Sequence, residues 1–293
     1  MMDLRKLIAV GAHFGHQTSR WCPKMERYIW GQRNNVHLID VSKTALEMDR
    51  AAQFLKEIAG QGKGILWVGT KKSAQNAIRS TAESLDMPFV THRWVGGILS
   101  NYTQVKKSVT KLLHFEDVVN KADKFPHYTK KEINVFSKAL DRLAKSVGGI
   151  KKLSWPLGAL VVVDVNKERS AIKEAISMGI PVVAVVDTNG DPSGINYVIP
   201  ANDDSPRVVS LIVSYLSDAV KEGKEQAHQR QPQEAAAAKE EANQQLEDAE
   251  KVAARAKSGA RRGRPAKSST KQASEASTTE SADAQSETGV AAE

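Results

Sequence analysis

Residues 159–187, ALVVVDVNKERSAIKEAISMGIPVVAVVD, decide the architecture. ALVVVDV is β-branched and apolar at successive rather than alternate positions, the pattern of a strand buried on both faces. Lys167–Met178 then reads as a helix with Ile172, Ala175 and Ile176 inward, and Gly179 stops it. Pro181 opens VVAVVD, a second strand of the same kind. A buried strand, an amphipathic helix and another buried strand form a parallel crossover, which needs helices on the faces of the sheet.

The alternation continues outward. GILWVG (64–69) reads as a buried strand, Ser73–Leu85 as a helix and MPFVTH (87–92) as a short strand. Upstream, VHLID (36–40) leads into a helix with Ser42 as N-cap, an inner face of Ala45, Met48, Ala52, Leu55 and Ile58, and a stop at Gly60 and Gly62. Downstream, YVIP (197–200) is an edge strand and Ser205–Val220 the last helix, with Val209, Ile212, Val213 and Leu216 apolar, Ser205 as cap and Pro206 in its first turn. Asp3 caps a short helix bearing Leu4, Leu7 and Ile8. The expected class is α/β, a doubly wound, mostly parallel sheet, which by itself says little about function.

Between Thr103 and Ser146 the alternation is interrupted. Val105, Val109, Leu112, Leu113 and Val119 recur at helical spacing; Thr129-Lys-Lys-Glu132 is a capping box, followed by a seam of Ile133, Phe136, Leu140 and Leu143. With Pro126 in the connector, this predicts an inserted antiparallel hairpin projecting from the sheet domain, with outer faces made basic by Lys106, Lys107, Lys111, Lys130, Lys131, Lys138, Arg142 and Lys145. The expected domains are an α/β body of residues 1–102 and 147–228, the hairpin 103–146, and a low-complexity extension 229–293, partly helical and then disordered.

The formal net charge is +8, and it is unevenly spread. Residues 1–230 hold 33 Lys+Arg against 23 Asp+Glu, while residues 231–293 hold 9 against 11. The body is therefore the basic part, as a polyanion binder needs. Cys22 is the only cysteine, which excludes an internal disulfide and fits a reducing compartment. No apolar run approaches the roughly 20 residues that span a bilayer. The amino terminus shows neither a cleavage pattern nor an Arg- and Ser-rich transit peptide, so a cytoplasmic start is expected.

Two segments interleave rings with cations. His13–Arg33, HFGHQTSRWCPKMERYIWGQR, carries Phe14, Trp21, Tyr28 and Trp30 among Arg20, Lys24, Arg27 and Arg33; Gly15, Pro23 and Gly31 break any period, so it reads as an ordered loop. His92–Asn101, HRWVGGILSN, sets Arg93 beside Trp94 and carries two glycines. Cations bind phosphate oxygens and rings offer faces for bases, so both suit structured RNA; core-capping loops would have the same composition.

Other residues invite chemistry. Gly69-Thr70-Lys71-Lys72 lies between a strand and a helix, where phosphate could sit, but it lacks a dinucleotide or phosphate-loop pattern. Asp164 and Asp187, at strand ends, could hold a metal or move protons, or could bond to loop backbone and cap turns. His13, His16 and Cys22 match no common zinc spacing. Arg262-Gly263-Arg264-Pro265 resembles an AT-hook core.

GAHFGHQTSRWCPKMERYIWGQRNNVHLID, ILWVGTKKSA, HRWVGGILSN and GIPVVAVVDTNGDPSGINYVIPANDD, taken in order, closely resemble the bacterial ribosomal protein S2 family, across residues 2–225. The extension beyond about residue 230 departs from that pattern. The resemblance implies a flavodoxin-like α/β domain with a coiled-coil hairpin and a structural, non-catalytic place in the small ribosomal subunit near the head–body junction. Its implied partners are small-subunit (16S) rRNA and neighbouring ribosomal proteins, including the large mRNA-binding protein S1. No cofactor, metal, membrane or small-molecule substrate is expected. On this reading Arg20, Lys24, Arg27, Arg33, Lys71, Lys72, Arg93, Lys106 and Lys107 contact phosphates. Trp21, Trp94 and Tyr102 stack or pack, and Asn101 joins the same set. Two alternatives compete: a nucleotide- or phosphosugar-handling enzyme using Lys71, Asp164 and Asp187, and a DNA-associated protein acting through Arg262–Arg264.

Overall fold

The computed structural model describes residues 2–121 and 128–228. Expectations for the connector around Pro126 and for the extension 229–293, including its Arg-Gly-Arg-Pro motif, lie outside the described residues.

Five strands form one parallel sheet: β4 (Gly64–Val68), β5 (Phe89–Val90), β6 (Leu157–Val163), β7 (Val182–Val186) and β8 (Tyr197–Pro200), in the order β5-β4-β6-β7-β8. Side chains alternate between two cores. Ile65, Trp67, Ala159, Val161, Val163, Val183 and Val185 meet α1 (Leu4–Val10), α2 (Val41–Gly60), α3 (Lys72–Leu85) and the last helix, α7, over 206–228. Leu66, Val68, Leu160, Val162, Ala184 and Val186 meet α4 (Tyr102–Asn120), α5 (Lys130–Val147) and α6 (Arg169–Ser177). Each large aliphatic side chain taken fully out of water contributes about 1.5–3 kcal/mol, which is why strands apolar at successive positions require both faces covered. The α/β, doubly wound class follows.

Several local expectations change. His13–Arg33 is not a continuous loop. It contains β1 (Phe14–Gln17) and β2 (Ile29–Arg33), which pair antiparallel with β3 (Val36–Ile39) in the order β1-β3-β2. Between β2 and β3, Asn34 and Asn35 adopt φ 52° and 60°, a two-residue turn that closes the Arg33–Val36 pair. That Asn-Asn pair was the hairpin signal. Asp40, not Ser42, caps α2: its carboxylate accepts from Ser42 N at 3.0 Å. Ile176 is 49% exposed rather than inward, lying over Gly194, and Leu113 faces outward from α4.

α4 and α5 pack along one another, with Phe115 stacked on Phe136 at 5.4 Å and the Thr129–Glu132 capping box formed. Val105, Val109 and Leu112 share the sheet's core with Val147, Ile150 and Leu153, so the base of the pair is part of the body.

Gly15 of β1 lies against β7's following loop: a Cβ there would come within 2.5 Å of Thr188 Cγ2 and 3.1 Å of the His37 carbonyl oxygen. Gly15→Ala should cost about 1–3 kcal/mol, as overpacking does, read as a lower urea midpoint with an unchanged m-value.

Candidate nucleic-acid interface

The carboxyl edge of the parallel sheet is where α/β folds commonly bind ligands. Here it is acidic. β6 runs into Asp164, β7 into Asp187 and β8 into Asp203, all buried. Lys71, after β4, reaches into them: its Nζ is 2.7 Å from Asp203 Oδ1, 2.5 Å from Asp204 Oδ1 and 3.7 Å from Asp164 Oδ2. Burial lowers the Lys71 pKa, but its bonds to Asp203 and Asp204 outweigh that and raise it, so the ammonium stays charged. Burial and then the Asp187 carboxylate push Asp203 up to about 6, against the pull of Lys71. Beside them Glu168, 1% exposed, accepts from Thr70 N at 3.0 Å, and burial raises its pKa. Two further acid oxygens serve local backbone. Asp164 Oδ1 accepts from Asn166 N and Lys167 N, and Asp187 Oδ1 from Thr188 N.

The small antiparallel sheet and the turn after it are fastened to this edge. His16 N donates to Thr188 Oγ1 at 2.9 Å and Cys22 N to the Thr188 carbonyl at 2.8 Å. The His16 ring lies with Nδ1 3.1 Å from Asp187 Oδ2 and Nε2 3.4 Å from Asp204 Oδ2, and the Asp187 carboxylate raises its pKa most. Lys24 Nζ reaches Asp191 Oδ2 at 3.1 Å and Ser193 Oγ at 2.7 Å. His16, Asp203 and Asp204 are the one group among the described residues that brings three possible metal-ligand atoms within 4.8 Å of one another. His13 and Cys22 are not part of it, and the Lys71 ammonium already sits on its two carboxylates.

These contacts divide the cations predicted to touch phosphate. Lys71 and Lys24 are engaged with the chain's own acids. The Arg27 guanidinium lies 4.6 Å from the Tyr28 ring centroid. Arg20, Arg33, Lys72, Arg93, Lys106 and Lys107 are exposed and have no hydrogen-bond or ion-pair partner for their side chains among the described residues. Trp21 is half-buried, its ring 5.1 Å from that of His37, whereas Trp30 is 76% exposed and shares a small cleft with Ile8 and Leu38.

The second segment is built on a residue that pattern reading missed. Glu174, on α6, accepts from Trp94 Nε1 and Gly97 N at 2.9 Å, Leu99 N at 3.1 Å, and Ser100 N and Oγ at 3.4 Å. Burial pushes its pKa up, but these donors outweigh burial and the net shift is down. Trp94 is consequently a packing residue, 8% exposed, while Arg93 beside it faces out. Asn101 occupies the N-cap of α4 without a side-chain capping bond, and Tyr102 Oη donates to the Leu153 carbonyl at 2.9 Å. Met25 and Tyr28 share a core with Trp94, Ile98 and Leu99, so both aromatic-basic segments are anchored in one core. No sequence spacing links Glu174 to residues 94–100; only the fold brings them together.

A family model described as ribosomal protein S2 matches residues 7–223. The small ribosomal subunit protein uS2 of Corynebacterium urealyticum is 41% identical over 256 residues, covering 87% of this chain and 95% of the relative. That of Saccharophagus degradans is 43% identical over 222 residues, covering 76% and 90%.

The acidic edge carries a pH signature. His16, with a raised pKa, contributes stability that is full below its ordinary value of 6.5 and is lost as pH rises through the folded value. Asp203, held up to about 6, likewise contributes less as pH rises from its ordinary value towards 6. Lys71→Met removes the cation these acids share and should destabilise the fold by about 3–5 kcal/mol near neutrality, the cost of breaking a buried pair. The deficit should shrink at pH 5, where the acids can take up protons; urea unfolding at the two pH values measures it.

Proposed function

The chain belongs to the ribosomal protein S2 family, and from that premise we propose that it holds small-subunit rRNA near the head–body junction through its two aromatic-basic segments. It is a structural constituent of the small ribosomal subunit, not an enzyme, and works in translation with rRNA and neighbouring ribosomal proteins. The observation that carries the finer reading is the set of exposed cations without a partner among the described residues, on those segments and on α4: Arg20, Arg33, Arg93, Lys106 and Lys107, with Lys72 at the start of α3. Arg and Lys contact the phosphate backbone, and each contact releases counterions. Lys24, Arg27 and Lys71 hold the segments in shape, with Trp21, Trp94 and Tyr102 as their packing rings.

Docking of the large mRNA-binding ribosomal protein S1 fits a different surface. Trp30, Ile8 and Leu38 form an exposed apolar cleft, which suits a protein partner better than a polyanion. The paired helices α4 and α5 act as the inserted hairpin, with the exposed lysines on them available to rRNA.

The enzyme alternative loses its support at Lys71. A phosphate brought to that edge would meet Asp164, Asp203 and Asp204 around an ammonium they already neutralise.

Arg20→Ala with Arg93→Ala should weaken incorporation into small subunits on a sucrose gradient. It should also reduce the salt slope of rRNA binding by about 0.7–0.9 for each lost phosphate contact. An unchanged slope with normal incorporation would remove both residues from the interface.

A further inference from the structure

We propose that Trp155 and Tyr102 form a stacking site for one unpaired rRNA base, with Lys106 placed for the phosphate of that nucleotide; the proposal rests on the rRNA-binding reading of the same region. Trp155 lies in the segment between α5 and β6, outside both aromatic-basic segments. It is 41% exposed although it belongs to the largest and most apolar class of side chain. Its ring meets that of Tyr102 edge-on, centroids 6.4 Å apart, and the two line an open groove of about 430 Å³ with Ser100, Thr103, Lys106 and Met178. The indole Nε1 has no acceptor among the described residues, so it is free to donate to a base edge or a phosphate.

The groove is held ready. Tyr102 is fixed by its bond to the Leu153 carbonyl, two residues before Trp155. Ser100 is fixed through its backbone and hydroxyl by Glu174. Thr103 offers a hydroxyl and Lys106 a cation without a partner among the described residues. Aromatic faces beside a cation and hydroxyl groups are what a splayed nucleotide needs: a face for the base, donors for its edge and a charge for its phosphate. An apolar protein anchor would leave Lys106 without a counter-charge. Lys107, next to Lys106 on α4, is exposed as well, which also favours nucleic acid.

Stacking and phosphate contact respond differently to salt, so they can be separated. The full-length protein and its Trp155→Ala, Trp155→Phe and Lys106→Ala variants would be titrated with 16S rRNA at several salt concentrations. Trp155→Ala should weaken binding about tenfold at every concentration, as expected for one lost base stack, with the slope unchanged. Trp155→Phe should recover most of the affinity, since a ring remains. Lys106→Ala should instead lower the slope by about 0.7. Wild-type affinity in Trp155→Ala overturns the proposal, and so does normal rRNA affinity with loss of a neighbouring ribosomal protein from the assembled subunit, which would make the groove a protein-docking surface. A loss of affinity that Trp155→Phe fails to recover, or a fall in slope for Trp155→Ala, also overturns it. The underlying rRNA reading fails separately, if Arg20→Ala with Arg93→Ala leaves the slope unchanged.

Discussion

Three strands that lie side by side, β6, β7 and β8, all run into buried carboxylates at the same edge of the sheet, and two groups hold them there: the Lys71 ammonium, on Asp164 and Asp203, and the His16 ring, on Asp187. Uncompensated, Asp164, Asp187 and Asp203 would repel one another in surroundings too dry to screen them. Lys71 closes the arrangement from the β4 side, and His16 closes it from the small antiparallel sheet. The position of that sheet, and of the Arg20–Arg33 segment it carries, follows from this neutralisation and from the two backbone contacts at Thr188.

The same constraint explains how an α/β sheet of an enzyme-like kind comes to serve as a binding scaffold. Its usual ligand edge is filled by the protein's own charges. On the proposed reading, function moves outward, to segments that cross the rim and to the start of α4. There the cations divide by what they face. Lys24 and Lys71 face acids and act as fasteners. Arg20, Arg33, Arg93, Lys106 and Lys107 face solvent. Glu174 does for the second segment what Lys71 does for the first: it gathers otherwise unpaired groups, here N–H donors, and so sets the turn from which Arg93 emerges and α4 begins. Because its carboxyl is held below the ordinary range, that support persists above the usual glutamate pKa and is lost only as pH falls through the folded value.

Local pattern was enough for the sheet. Runs such as ALVVV and VVAVV admit little besides strands buried on both faces, and the helix faces at Ala45–Ile58 and Val209–Leu216 lie where their spacing put them. Reading failed where the outcome depended on partners distant in sequence. The first aromatic-basic segment looked like a loop because its glycines break periodicity; one of them, Gly15, is instead a close approach to Thr188, more than 170 residues away. Lys71 looked like a phosphate ligand because nothing nearby in the chain revealed three acids waiting for it. For Trp94 the sequence allowed stacking or packing, and only the distant Glu174, which takes its indole N–H, decides for packing, while Trp155, which no motif marked, is left partly in the open.

The central claim is that the body's rim segments, rather than the extension beyond residue 228, grip the rRNA. Ultraviolet crosslinking of the full chain within assembled small subunits, followed by mass spectrometry of the peptide–nucleotide adducts, tests it most directly. Crosslinks should fall within residues 20–33 and 92–107, and at Trp155. Adducts confined to residues 229–293, with none in those two stretches, would contradict the account.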